Sequence, residues 1–167
     1  MQQMTRSEST IELFKEAMKF SAGHFTIFSA TNRERLHGHN FSVYCALTGL
    51  LDDNGMIADY RRYKDTLYRL CRSWNEYFLL PAASPFLRVE TKGDRIEAHY
   101  GDEVIPFLAK DVLVLPVRNV TLEELSRLMV ERLVEDPELV GRDRIVRIVV
   151  KVSSGPGQYA SHIWEAS

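Results

Sequence analysis

Leu36-His37-Gly38-His39-Asn40-Phe41-Ser42-Val43-Tyr44-Cys45-Ala46-Leu47 is the stretch on which the fold turns. Its β-branched and aromatic members, Phe41, Val43 and Tyr44, favour extended backbone, so residues 36–47 are predicted to form a strand. Residues two apart on a strand face the same way, about 6.5–7 Å apart at Cα. His37 and His39 therefore present two imidazoles to one side, and Gly38 leaves the other side open. His24, at the end of the strand before it, can bring a third nitrogen if the two strands pair. Three neutral nitrogens leave one tetrahedral position free, as in a catalytic rather than a structural zinc site. The HxH spacing alone is a weak signal, and a strand histidine is more often a plain core or surface residue.

Working outward, Phe14, Glu16, Met18 and Phe20 alternate with Lys15 and Lys19, which predicts one strand over 11–20, closing at Ser21–Phe25. Residues 1–10 are polar and read as a flexible N-terminus, leaving 11–167 as a single domain. Ser29–Arg35 is a polar connector. Beyond the decisive strand, Asp52-Asp53-Asn54-Gly55 signals a turn into a short strand at Met56–Ala58 and an antiparallel meander. Asp59 is a helix N-cap, and Tyr60, Tyr63, Leu67, Leu70, Cys71 and Trp74 recur at helical spacing over 60–74. Pro81 and Pro85 bracket a loop. Short strands are then predicted at 86–90, 95–100 and 112–115. Thr121-Leu122-Glu123-Glu124 has the form of a capping box opening a second helix, which Asp136-Pro137 ends. Arg144–Val152 is the most β-prone run. Ser153-Ser154-Gly155-Pro156-Gly157 turns it into a last strand, Tyr159–Trp164; with no lysine and a strand following, this is a turn and not a phosphate loop. The order β-β-β-α, a β insertion, then α-β-β predicts an α+β fold with a four-stranded antiparallel sheet and two helices on one face.

The 167 residues, 45% apolar and 26% charged, suffice for a core without disulfides. Twenty-one basic against 23 acidic residues give a net charge of −2 with no long run of either sign, which disfavours nucleic-acid binding. No stretch is long and apolar enough to span a bilayer, and MQQMTRSEST lacks the apolar centre of a secretory signal. Cys45 and Cys71 are spaced as free, buried thiols, which points to the cytoplasm. His99 and His162 have no such neighbours as the HxH pair and read as ordinary strand histidines.

Phe20-Ser21-Ala22-Gly23-His24-Phe25 followed by Arg33-Glu34-Arg35-Leu36-His37-Gly38-His39-Asn40-Phe41 resembles the signature of the 6-pyruvoyl-tetrahydropterin synthase / 6-carboxy-tetrahydropterin synthase family. Gly55-Met56-Ile57-Ala58-Asp59-Tyr60 and Asn119-Val120-Thr121-Leu122-Glu123 resemble the family's segments before its first and second helices, so the match runs over about 12–165 with an insertion between the helices. The resemblance implies the tunnelling fold, a homo-oligomer whose subunit sheets form a barrel, and active sites at subunit interfaces. It implies Zn²⁺ on His24, His37 and His39, acting as Lewis acid on the hydroxylated side chain of a pterin-like small molecule.

Other positions depart from the family pattern. No cysteine stands just before the HGH; Glu34 stands three residues before His37, as in the subgroup that releases 6-hydroxymethyl-dihydropterin from dihydroneopterin, and is the expected catalytic base. Asn75 and Glu76 fall where the family has an Asp-His pair. Ser154, with Ser153 beside it, falls where it has a pterin-anchoring glutamate, and a serine offers at most one weaker acceptor than a carboxylate. The expected activity is a zinc-dependent lyase acting on dihydroneopterin or its triphosphate. The alternative is a neofunctionalised or non-catalytic zinc-binding homologue with a non-pterin ligand.

Overall fold

A computed structural model of the chain describes residues 7–140 and 144–167. Ten strands and three helices follow in the order β1 Glu8–Leu13, β2 Lys19–His24, β3 His37–Leu50, α1 Tyr60–Trp74, β4 Tyr77–Pro81, β5 Arg88–Lys92, β6 Arg95–Tyr100, β7 Glu103–Leu108, β8 Val112–Leu115, α2 Leu122–Val134, α3 Pro137–Val140, β9 Ile145–Ser153 and β10 Tyr159–Glu165.

The long strand β3 organises the rest. On one side it pairs antiparallel with β9, from Ser42↔Ser153 to Gly49↔Ile145, and β9 pairs with β10. On its other side β2 pairs over His37–Ser42 and β1 over Cys45–Leu50, both antiparallel. The stretch 11–20 is thus two strands and not the one expected. Residues 14–18 leave the ladder in a turn closed by Met18 N–H to Lys15 C=O, and the apparent alternation at Phe14 is a solvent-facing coincidence, with that ring 71% exposed. Residues 8–10, inside the polar leader, are paired; residues 1–6 lie outside the described ones.

The expected all-antiparallel, four-stranded sheet needs correcting. The main sheet has seven strands, in the order β10-β9-β3-β2-β4-β8 with β1 also on β3, and it is mixed because β4 runs parallel to both β2 and β8. Leu79 and Leu80 of β4 are fully buried, so this short apolar run, for which no strand was expected, is an internal strand between β2 and β8. No strand forms at 56–58: the Asp52–Gly55 turn feeds directly into α1, with Asp59 capping it by accepting from Arg61 N–H. The insertion β5-β6-β7 makes a separate three-stranded antiparallel sheet. Its third strand escaped the sequence reading because Pro106 breaks the pattern, which an edge strand tolerates. A third helix, α3, restarts at Pro137 where α2 was expected simply to end, since proline suits a first helical turn.

Alternate residues of β3, Phe41, Val43, Cys45 and Leu47, face the helices and form the main core with Tyr63, Leu67 and Trp74 of α1 and Leu125, Met129 and Leu133 of α2. Burial drives the thiols of Cys45 and Cys71 up to about 12, which makes both inert packing groups. A second core, built from Phe25, Ile27, Leu80, Ile96, Ala98 and Tyr100, seats the insertion on the chain leaving β2. Among the described residues no helix is long and apolar enough to cross a membrane.

Candidate metal centre

Antiparallel pairing sets Gly23 opposite Gly38 and His24 opposite His37 at the end of the β2–β3 ladder. The two glycines are required by close approach. A Cβ on Gly23 would lie 2.4 Å from the Phe78 ring, and one on Gly38 would lie 3.1 Å from the Ala22 carbonyl. With that register, His24, His37 and His39 converge so that one nitrogen from each lies within 4.8 Å of the others.

Two backbone carbonyls aim these rings. His24 Nδ1 lies 2.9 Å from Val120 C=O, and His37 Nδ1 lies 2.8 Å from Arg35 C=O. Protons on those Nδ1 atoms leave the Nε2 lone pairs pointing into the cluster, the arrangement that orients metal-binding imidazoles. Nε2 of His24 is buried and has no hydrogen-bond partner. Nε2 of His37 and His39 stand 3.1 Å apart. Burial lowers the His24 pKa, and the two neighbouring imidazoles lower it further against the Val120 carbonyl, so the ring is kept neutral. Three convergent imidazoles and an orphaned buried nitrogen fit a divalent transition metal such as zinc.

Glu34 closes one side. Its carboxylate lies 3.8 Å from His37 Nε2 and accepts from Thr26 N–H at 2.9 Å. Burial pushes the Glu34 carboxyl up, but the Thr26 hydrogen bond and the nearby histidines outweigh this and hold it below its usual range, so it is ionised and able to accept a proton. These groups line a cavity of about 240 Å³ shared with Ser154 and Gln158.

Sequence reasoning placed the three histidines and Glu34 together, and Ser154 reaches the same cavity. Its neighbour Ser153 does not: that hydroxyl caps the 153–158 loop, donating to Gln158 C=O at 2.7 Å and accepting from Gly155 N–H. Asn75 and Glu76 also stand outside the cavity. Asn75 Oδ1 accepts from Ser21 N–H, and Glu76, held at φ 65°, lines a groove on the opposite face of Gly23 and Gly38. Other lining residues were missed, Gln158 and Glu123 among them. Gln158 donates from its amide to Ser154 Oγ at 2.8 Å, and Glu123 sits in the first turn of α2. The 119–123 motif was legible only as a helix start, although it also carries the Val120 carbonyl and Glu123. His99, expected to stand without such neighbours, lies 3.3 Å from the Glu90 carboxylate and 3.1 Å from that of Glu97, a cluster that Lys92 also pairs with.

Comparison with known proteins follows the same lines. The family model for 6-pyruvoyl tetrahydropterin synthase matches residues 12–163. A Methanocaldococcus jannaschii protein named provisionally as a 6-carboxy-5,6,7,8-tetrahydropterin synthase is 23% identical over 146 residues, 87% of this chain and 89% of its own length. Among solved structures, Plasmodium falciparum 6-pyruvoyl tetrahydropterin synthase is 26% identical with a TM-score of 0.89, covering 96% of this chain and 99% of that one. The Plasmodium vivax protein, 24% identical with the same coverages, has a TM-score of 0.88 in two catalytic-residue variants that replace a glutamate by cysteine or alanine.

Proposed function

The chain belongs to the 6-pyruvoyl tetrahydropterin synthase family, and from that premise we propose that it is a zinc-dependent lyase that shortens or rearranges the polyol side chain of dihydroneopterin or its triphosphate. The observation that carries the reading is the convergence of three imidazole nitrogens, one of them buried without a hydrogen-bond partner, beside an ionised Glu34. His24, His37 and His39 would hold the metal, which would supply Lewis acidity toward the side-chain oxygens.

The chain's own groups then have distinct tasks. Glu34 takes the proton of a side-chain hydroxyl. In the cleavage version, that hydroxyl carbon becomes the carbonyl of the departing fragment. The adjacent carbon–carbon bond breaks, its electron pair stays on the pterin-side carbon, and that carbon receives a proton in return. Ser154 and Gln158 offer a hydroxyl and an amide to the ring edge in place of a carboxylate. Glutamate as the catalytic residue of the vivax protein agrees with the role given to Glu34. In a homo-oligomer with interfacial sites, Asn75 and Glu76 would serve a site shared with another copy. The buried free thiols suit a reducing compartment such as the cytoplasm.

A second reading, a zinc-binding homologue with a non-pterin ligand, is favoured by one observation: the 153–158 loop brings Ser154 and Gln158, and no carboxylate, to the cavity wall. Anaerobic incubation of zinc-loaded protein with dihydroneopterin and its triphosphate, followed by mass, separates the two. A shortened dihydropterin such as 6-hydroxymethyl-dihydropterin is expected. No product and no pterin binding at one zinc per chain would favour the second reading.

A further inference from the structure

Glu34 is carried on a connector, residues 25–35, that belongs to neither sheet's ladder, yet its carboxylate is aimed at the histidines. The connector folds back on itself. Ile27 bridges Arg33, Glu34 N–H donates to Thr26 C=O at 2.8 Å, and Thr26 N–H returns a bond to the Glu34 carboxylate. Such a small loop cannot hold one rotamer alone, since a few exposed backbone bonds open readily. Two anchors support it. From the α2 side, Asn119 brackets Ile27, accepting from its N–H at 3.1 Å and donating to its C=O at 2.8 Å. From the other side comes the insertion.

There, Arg33 lies over the rings of Phe25 and Tyr100, with its guanidinium carbon 5.3 and 5.6 Å from their centroids. Its Nε and Nη2 donate to a carboxylate oxygen of Glu103 on β7, at 2.8 and 2.5 Å. Its Nη1 donates to Glu34 C=O at 2.9 Å. Tyr100 at the end of β6 donates its hydroxyl to Ser29 C=O at 2.7 Å. One planar guanidinium thus joins the insertion to the backbone of Glu34 itself. A lysine could not reproduce this, because it lacks the fixed fork of donors. The Arg33 side chain is 18% exposed and that of Glu103 55%, so the guanidinium is shielded from water while the carboxylate is not.

We infer that Arg33 and Glu103 are positioning residues for Glu34, and that through them the β5–β7 insertion takes part in the reaction without touching the substrate. This rests on the reading of Glu34 as base, and its test therefore has one readout that needs no turnover. Zinc-loaded wild type, Glu103→Ala, Glu103→Gln, Arg33→Lys and Tyr100→Phe are compared by amide hydrogen exchange and by kinetics on dihydroneopterin. In Glu103→Ala and Arg33→Lys, exchange at Thr26 and Glu34 is expected to quicken about tenfold or more while core amides of β3 keep their rates. The value of kcat should fall about tenfold or more with KM and zinc content unchanged, because a misplaced base costs rate rather than binding. Glu103→Gln, which keeps an acceptor for the guanidinium, should recover part of both effects.

Unchanged exchange at Thr26 and Glu34 in Glu103→Ala, Arg33→Lys and Tyr100→Phe overturns the inference. So does a uniform rise across the whole chain, which would mean general destabilisation. If wild type turns over no pterin, the proposed activity fails, and local exchange at residues 26–34 still decides whether the insertion holds Glu34.

Discussion

His37 and His39 hold their Nε2 atoms 3.1 Å apart, although neither side chain has left the strand geometry that puts both on one face of β3. Two lone pairs at that distance repel unless a proton or a cation sits between them. Zinc should therefore raise the melting temperature of the apo-protein, as any ligand specific to the folded state does. Alanine at His39 should abolish that rise and bring bound metal, measured by plasma emission, well below one per chain. An equal thermal shift in this variant would dismiss the three-histidine site.

Removal of the Glu34 carboxylate should separate chemistry from metal binding. Glu34→Gln is expected to keep full zinc content and to lose about 10²–10⁴-fold in kcat, the usual weight of a general base. Retention of near-normal kcat would reassign the base, with Glu123, the other carboxylate of the cavity, the next variant to make.

Acid sensitivity should trace in part to Glu124. Burial pushes this carboxyl up, but Arg127 and Arg118 overwhelm it and bring it to about 2. The side chain accepts from Arg118 N–H at 2.7 Å and pairs with both guanidiniums, in place of closing the capping box back onto Thr121. A carboxyl whose folded pKa lies below its unfolded value of 4.5 stabilises fully above that value. The contribution is then lost as the pH falls toward 2. Denaturant titrations should show Glu124→Gln less stable at pH 7 by about 1–3 kcal/mol, with the gap closing in acid. A gap independent of pH would assign the loss to packing.

At Gly23 the expected cost is steric. Alanine there drives its methyl group into the Phe78 ring, and overpacking of this kind costs about 1–3 kcal/mol. Pairing Gly23→Ala with Phe78→Leu should return part of the stability and of the zinc affinity. If the single variant melts like wild type, β4 is free to move away from β2.

How much could be read beforehand varied with the physics of each segment. Helix α1 was legible to the residue, because its buried positions recur at one helical period and Asp59 supplies a cap. The His24, His37 and His39 cluster was legible because strand period and antiparallel pairing together fix which side chains meet. Strand β4 was not, since a short apolar run ahead of a proline carries no periodicity to separate strand from loop. Nor was the mixed sheet, because parallel pairing between β2, β4 and β8 leaves no local turn in the chain. Gln158 was hidden for another reason: it reaches the cavity through a loop geometry set by Ser153, and nothing in the residue types announces that.

The ladder between β3 and β9 ends at Ser42↔Ser153, so the five residues His37–Phe41 stay paired with β2 on one side and on the other share the cavity with the 153–158 loop and not with a strand. The two walls of the cavity consequently differ in how they tolerate engineering. Inserting one residue into β3 would swing both of its histidines to the far face, whereas residues 155–157 can be lengthened or randomised without touching any strand register. A library confined to that loop can thus alter which molecules enter while the histidine half stays constant, and ligand preference in this scaffold becomes a property that can be selected separately.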